Sequence, residues 1–198
     1  MSAGVVACMT TPAQGNVVPD GALYACDNSK FGEDGKGRYW PGADKWFRWL
    51  TRTVDRYGPD RCLWALAPDK PFDAEGTLSE SLPWLAQIRE LEVRAAFAAQ
   101  DGCEEGLVPW DDLDVLFLAG STEWKIGPVA EQLAREATER GKGVHMGRVN
   151  SGIRFKIAEW FGCESCDGTL LRYGPDANLP RLLGWIERYD ERPSLFGV

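Results

Sequence analysis

The chain has 198 residues, 44% of them apolar and 26% charged, which suits one well-buried core and a single domain spanning 1–198. A net charge of −8 excludes a protein that coats nucleic acid by wholesale phosphate neutralisation, while leaving room for a local basic rim. No apolar run approaches the roughly 20 residues that span a bilayer, and the amino terminus lacks a basic segment followed by an apolar one, so a cytoplasmic protein is expected.

Strand-like runs rich in Val, Leu, Phe and Ala fall at about residues 4–10 and 22–27, the second ending in Asp27 and Asn28. A glycine-rich stretch follows at 32–42, carrying cations and aromatics, and reads either as a mobile lid or strand clamp or as an ordinary exposed loop. Residues 42–57 place Trp46, Trp49, Leu50 and Val54 at helical spacing, and a strand at 62–68 leads to Pro68 and Asp69. A helix over 76–91 sets Leu78, Leu82, Leu85 and Ile88 on one stripe, before a strand at 93–100 that ends in Gln100. The strand at 114–119 ends in Gly120 and Ser121, and the helix 127–140 carries Val129, Leu133 and Ala137, with Gly141 as its cap. A strand at 143–148 holds His145, Met146, Gly147 and Arg148; the helix 151–161 brings Ile153, Ile157 and Phe161. A last strand, 165–170, contains Asp167, and residues 178–189 bring Leu179, Leu182, Leu183 and Ile186.

Strands alternating with helices imply an α/β fold with a parallel sheet wound in one direction. Polar clusters follow six different strands, whereas an open sheet concentrates its functional residues at one switch point. A compact TIM-like barrel with an irregular or missing unit is therefore expected. Of the six cysteines (Cys8, Cys26, Cys62, Cys103, Cys163, Cys166), four sit in or beside strands, where a reduced thiol acts as a small hydrophobe.

Asp27, Asp69 and Asp167 each close an apolar run. Carboxylates gathered in a water-poor pocket suit glycosyl chemistry, one attacking an anomeric carbon while another handles a proton. Any one of them can instead be a helix cap. Gln100 and a backbone N–H near Gly120 add an amide and a donor able to read the Watson–Crick edge of a purine. Lys30, Lys36, Arg38, Lys125, Arg148, Arg154 and Lys156 follow strands on the same side and form a candidate basic rim, or simply solvated surface.

The order Asp27-Asn-Ser, Pro-Asp69, Gln100-Asp-Gly, Gly120-Ser, His-Met146-Gly147 and Cys-Asp167-Gly resembles the motif order of the queuine tRNA-guanine transglycosylase superfamily. Residues 118–125 (Leu-Ala-Gly-Ser-Thr-Glu-Trp-Lys) and 145–151 (His-Met-Gly-Arg-Val-Asn-Ser) are more specifically similar to its short phage and bacterial members, thought to install 7-deazaguanine bases in DNA. The likeness runs from about residue 22 to 170. It implies a pentosyltransferase in which Asp167 is the nucleophile on C1′ and Asp27 the general acid and base. It further implies that Asp69 accepts hydrogen bonds from the base, that Gln100 and the Gly120 backbone hold the C6 oxygen, and that Met146 packs on the base plane. Ser121 and Arg148 complete the substrate-binding set, with Tyr24, Phe97 and Trp124 as looser stacking candidates. The substrates implied are DNA, presented as a flipped or single-stranded guanine nucleotide, and a free 7-deazaguanine base; no cofactor is implied.

The tRNA enzymes of that superfamily carry a zinc site beyond the nucleophile, built from three cysteines and a histidine. Here Cys163 and Cys166 supply two thiols and the sole histidine is His145, so no metal site is expected. The missing region favours DNA over tRNA. A tRNA-directed enzyme, a small-molecule barrel enzyme acting on a nucleoside or sugar phosphate, and a non-catalytic partner subunit remain the alternatives.

Overall fold

Parallel neighbours need a crossover, and the helical stretches between the apolar runs supply it. The structure, a computed structural model, describes residues 6–14, 16–31 and 40–190. The strands are β1 (Cys8–Thr10), β2 (Tyr24–Cys26), β3 (Cys62–Leu66), β4 (Ala95–Ala99), β5 (Val115–Leu118), β6 (Gly143–Met146) and β7 (Ser165–Cys166). The helices are α1 (Ala43–Tyr57), α2 (Ala74–Glu90), α3 (Thr122–Lys125), α4 (Pro128–Glu139), α5 (Gly152–Trp160) and α6 (Pro175–Asp190). All seven strands form one parallel sheet in the order β1-β2-β3-β4-β5-β6-β7. Two connections are irregular. No α-helix lies between β1 and β2 among the described residues, and a single 3-10 turn, Cys103–Glu105, stands between β4 and β5.

The period of two along each strand sorts side chains onto two faces. Tyr24, Cys26, Ala65, Phe97, Leu116, Leu118, Val144 and Met146 join the core under the helices. Ala25, Trp64, Leu66, Ala96, Ala98, Val115 and Phe117 form a second cluster on the opposite face. A register shift between β2 and β3, where Tyr24 pairs Cys62 but Cys26 pairs Ala65, resets the alternation so that Cys62 and Ala65, three residues apart, both join the helix-side core while Trp64 and Leu66 face the second cluster. The second face is concave. Trp64 on β3 and His145 on β6 lie three strands apart, about 14 Å in a flat sheet, yet their ring centroids are 4.6 Å apart, and Phe117 packs against both, 5.4 Å from Trp64 and 4.5 Å from His145. The small Ala96 and Ala98 on the intervening strand make room for these rings.

Three helices present faces other than the expected stripes. On α2, Leu82 is exposed, and Thr77 and Ser81 are buried in its place. The reason is polar. Ser81 Oγ donates to Pro68 O at 2.7 Å, and Thr77 Oγ donates to Lys70 O at 2.9 Å while accepting from Lys70 N. The helix therefore clamps the loop that carries Asp69. On α5 and α6, Ile153 is 75% exposed and Leu179 and Leu183 each 41%, because α6 leans on α5 through Phe155 and Trp185 instead of lying on the sheet. No helix among the described residues is long and apolar enough to cross a membrane.

Candidate functional site at the strand carboxyl ends

Hydrogen bonding continues one residue past several strands. Asp27 N donates to Thr10 O, Ala119 N to Ala99 O, Gly147 N to Leu118 O and Asp167 N to Met146 O. The residues just beyond the strands are thus held by the sheet. Parity then decides which of them reach the concave face. Register aligns Ala98, Phe117, His145 and Ser165 in one layer, so Gln100, Ala119, Gly147 and Asp167 form the layer above, at the mouth. A side chain at Gly147 would press on Phe117 Cε1 at 2.7 Å, so glycine keeps this layer open beside Asp167.

The three acids meet here in different environments. Asp27 keeps part of its surface in solvent, and its Oδ1 accepts from Ser29 N at 2.6 Å. Burial, with Asp167 and Asp69 adding like charge, raises its carboxyl to about 7 against the opposing Ser29 N–H. Asp69 is 5% exposed; Oδ1 accepts from Asn28 Nδ2 and Oδ2 from Gln100 Nε2, both at 2.9 Å. Burial raises it to about 6, with Asn28 and Lys30 pulling the other way. Asp167 Oδ1 accepts from His145 Nε2 at 3.1 Å and from Arg148 N at 3.3 Å, while no hydrogen bond reaches Oδ2 among the described residues.

The expected site residues do not all arrive together. Asp27, Asp69, Gln100, Arg148 and Asp167 share the mouth. Met146 does not: it is fully buried in the helix-side core, since its neighbour His145 takes the inward position. Gly120 stands at the mouth, but the N–H expected to hold a ligand oxygen is bound to Ala99 O at 3.1 Å, and its carbonyl accepts from the Arg148 guanidinium. Ser121 donates to Asp101 through N and Oγ, each at 2.6 Å, and caps α3. Gln100 Oε1 accepts from Phe72 N at 3.2 Å, so both ends of its amide are engaged. Tyr24 and Phe97 are fully buried on the helix side, and Trp124 is partly buried against the same core with Nε1 on Glu104.

Within the candidate rim, Lys30 pairs with Glu80, Lys156 is exposed, and Arg154 donates to Arg148 O at 3.3 Å. Lys36 and Arg38, with the rest of residues 32–39, lie outside the described residues. Lys125 is no rim residue: it is fully buried, donates from Nζ to Gly147 O at 2.6 Å, and burial with Arg148 and Arg154 nearby lowers it to about 7.

Several mouth residues carried no role in the sequence reading. Asn28, 1% exposed, bridges Ala67 O and Asp69 and accepts from Lys30 N. Phe31 and Phe72, 47% and 52% exposed, stand edge to face at 5.9 Å with the Arg148 guanidinium 4.6 Å from the Phe31 ring. Exposed rings beside a cation offer a face on which a base can stack. Ser29 Oγ is buried without a hydrogen-bond partner among the described residues. The signal for these residues was position alone, in the loops that follow β2 and β3.

All six cysteines are unpaired thiols. Burial pushes Cys163 up to about 12 and Cys166 to about 11, the reverse of the thiolate character that redox exchange requires. Among the described residues no three His, Cys, Asp or Glu side chains are grouped so as to hold a metal ion.

No family model and no curated protein matches the chain. Among solved structures it is similar to the Bacillus subtilis YkuI protein, which has an EAL domain and was solved in complex with substrate c-di-GMP and calcium. The identity is 13% and the TM-score 0.43, over 86% of this chain and 46% of that one. The chain spans about half the length of that structure, and a likeness of this size bears on neither chemistry nor ligand.

Proposed function

We propose that the chain exchanges guanine in DNA for a 7-deazaguanine base, through a glycosyl ester between Asp167 and C1′ of the target nucleotide. The observation that carries the reading is the meeting of three carboxylates in unlike environments at one mouth. Asp27, raised to about 7, keeps a proton to give near neutral pH, while Asp167 has a carboxylate oxygen without a hydrogen bond among the described residues. An Asp167 oxygen bonds to C1′ as the C1′–N9 bond breaks; the electron pair leaves on guanine, which takes the proton of Asp27. The incoming base then loses a proton to Asp27 and attacks C1′, and the carboxylate leaves. Asn28, Gln100 and Asp69 form a fixed polar wall for the base edge, and Phe31 and Phe72 supply stacking surface. On this reading the singly wound, curled sheet is a TIM-like barrel with irregular first and fourth units, and the target guanine enters flipped or single-stranded.

The test is mass spectrometry of digested DNA after incubation of the protein with candidate 7-deazaguanines, with tRNA as a parallel substrate. The expected result is a deazaguanine nucleoside in DNA with an equal amount of guanine released. Exchange on tRNA alone overturns the choice of DNA; no exchange on either overturns the activity.

A further inference from the structure

The sole histidine lies inside the curled sheet, 2% exposed, between the rings of Trp64 and Phe117. Both of its ring nitrogens have partners. Nδ1 lies 2.9 Å from Ser165 Oγ and Nε2 lies 3.1 Å from Asp167 Oδ1. Ser165 and Asp167 are two residues apart on one chain segment, so both project to the concave face beside β6. An ionised carboxylate only accepts, which assigns the proton to Nε2; in a neutral ring Nδ1 then accepts, and the Ser165 hydroxyl donates.

The consequence falls on a soft torsion. The terminal torsion of aspartate is broad, and a carboxylate left alone at a pocket mouth samples many orientations. Here the His145 Nε2–H and the Arg148 N–H converge on one oxygen, Oδ1, and no hydrogen bond reaches Oδ2 among the described residues. The imidazole is itself fixed by Ser165 at one end and by two aromatic rings at its sides.

We propose that His145, held in its tautomer by Ser165, is a positioning residue for Asp167: it pins Oδ1 so that Oδ2 faces the mouth in the orientation for attack. This rests on the reading of Asp167 as nucleophile. Confining a nucleophile to its attacking geometry acts on the chemical step and leaves substrate binding unchanged. Replacement by leucine fills the space between Trp64 and Phe117 but donates nothing, whereas glutamine keeps an N–H donor near the Nε2 position.

Base exchange on a single-stranded guanine oligonucleotide is measured as kcat and KM for the parent, His145→Leu, His145→Gln and Ser165→Ala. The expected result is a fall of about 10- to 100-fold in kcat for His145→Leu with KM unchanged, the size seen when an outer partner of a reactive group is removed. His145→Gln should recover most of that loss, and Ser165→Ala should lose roughly two- to five-fold. With one histidine in the chain, its ring nitrogen signals in 15N NMR report the tautomer without any activity; the expected form carries its proton on Nε2. A His145→Leu variant at parental kcat, a folded His145→Gln no better than leucine, or a proton on Nδ1 in the neutral ring each overturns the role while leaving the activity standing. A parent that exchanges no base overturns the activity and this role together.

Discussion

Where the strands begin, Arg89 closes Nε and Nη2 on the two oxygens of Asp114 at 3.0 and 2.9 Å, and Ala95 N donates to the same carboxylate. Where the strands end, Asp27 has, among the described residues, a single backbone donor and two carboxylates for neighbours. Burial works against both acids, yet it is outweighed by Arg89 and Ala95 at Asp114, which is lowered, and it prevails at Asp27, which is raised to about 7. Arg94 with Glu164 and Lys142 with Leu113 O complete the paired pattern at the first end. Backbone strain follows the same division: Ser29, Phe72 and Arg148 hold φ of 66°, 65° and 60° at the mouth, with Glu92 the remaining non-glycine case among the described residues. One end settles its charges in pairs, and the other leaves them unsettled.

The largest test of that division is Asp167→Asn. It should lower base exchange by roughly a thousand-fold or more, because the amide cannot form the ester. The melting temperature should stay near the parent's, the side chain being 29% exposed; a large loss of stability would place Asp167 among the structural charges instead. Asp114→Asn is the mirror case. Losing the charge opposite Arg89 should cost about 1–2 kcal/mol in urea denaturation, with kcat unchanged.

Asp27→Asn sharpens the comparison through pH. A carboxyl ordinarily near 3.8 and raised to about 7 takes up a proton on folding, so its contribution to stability falls as pH climbs from about 4 to 7 and is constant above. The variant should therefore gain on the parent across that window, by on the order of 1–2 kcal/mol at pH 8 after allowing for partial exposure, and not at all at pH 4. In the parent, exchange should decline above about pH 7 as the proton is lost. A thermal melt series showing no pH-dependent gain would contradict the raised carboxyl. The smallest effect belongs to Phe72→Gly, which should stabilise by about 1 kcal/mol by relieving the left-handed backbone, while weakening binding of a guanine oligonucleotide by roughly ten-fold through lost stacking.

The seven strands and five of the helices were legible because their apolar residues recur at clean periods and the acids follow strands. What escaped the sequence reading has specific causes. Met146 was placed on the base plane although His145 beside it cannot share its face; period two, applied across Phe117, His145 and Ser165, carries that answer. The stripe on α2 failed at Leu82 because two hydroxyls, Thr77 and Ser81, have loop carbonyls to satisfy, a demand invisible until the loop is in place. Lys125 read as a surface cation, and its burial depends on the Gly147 carbonyl of another strand. Asn28, Phe31 and Phe72 lay within or beside the quoted segments, but their roles come from contacts across β2 and β3 that no local pattern encodes.

The most direct measurement is intact mass spectrometry of the protein trapped with a single-stranded guanine oligonucleotide, followed by peptide mapping of the attachment point. The account predicts a covalent adduct on the peptide containing Asp167, present in the parent and absent in Asp167→Asn. An adduct on Asp27 or Asp69, or one that persists in Asp167→Asn, would contradict it.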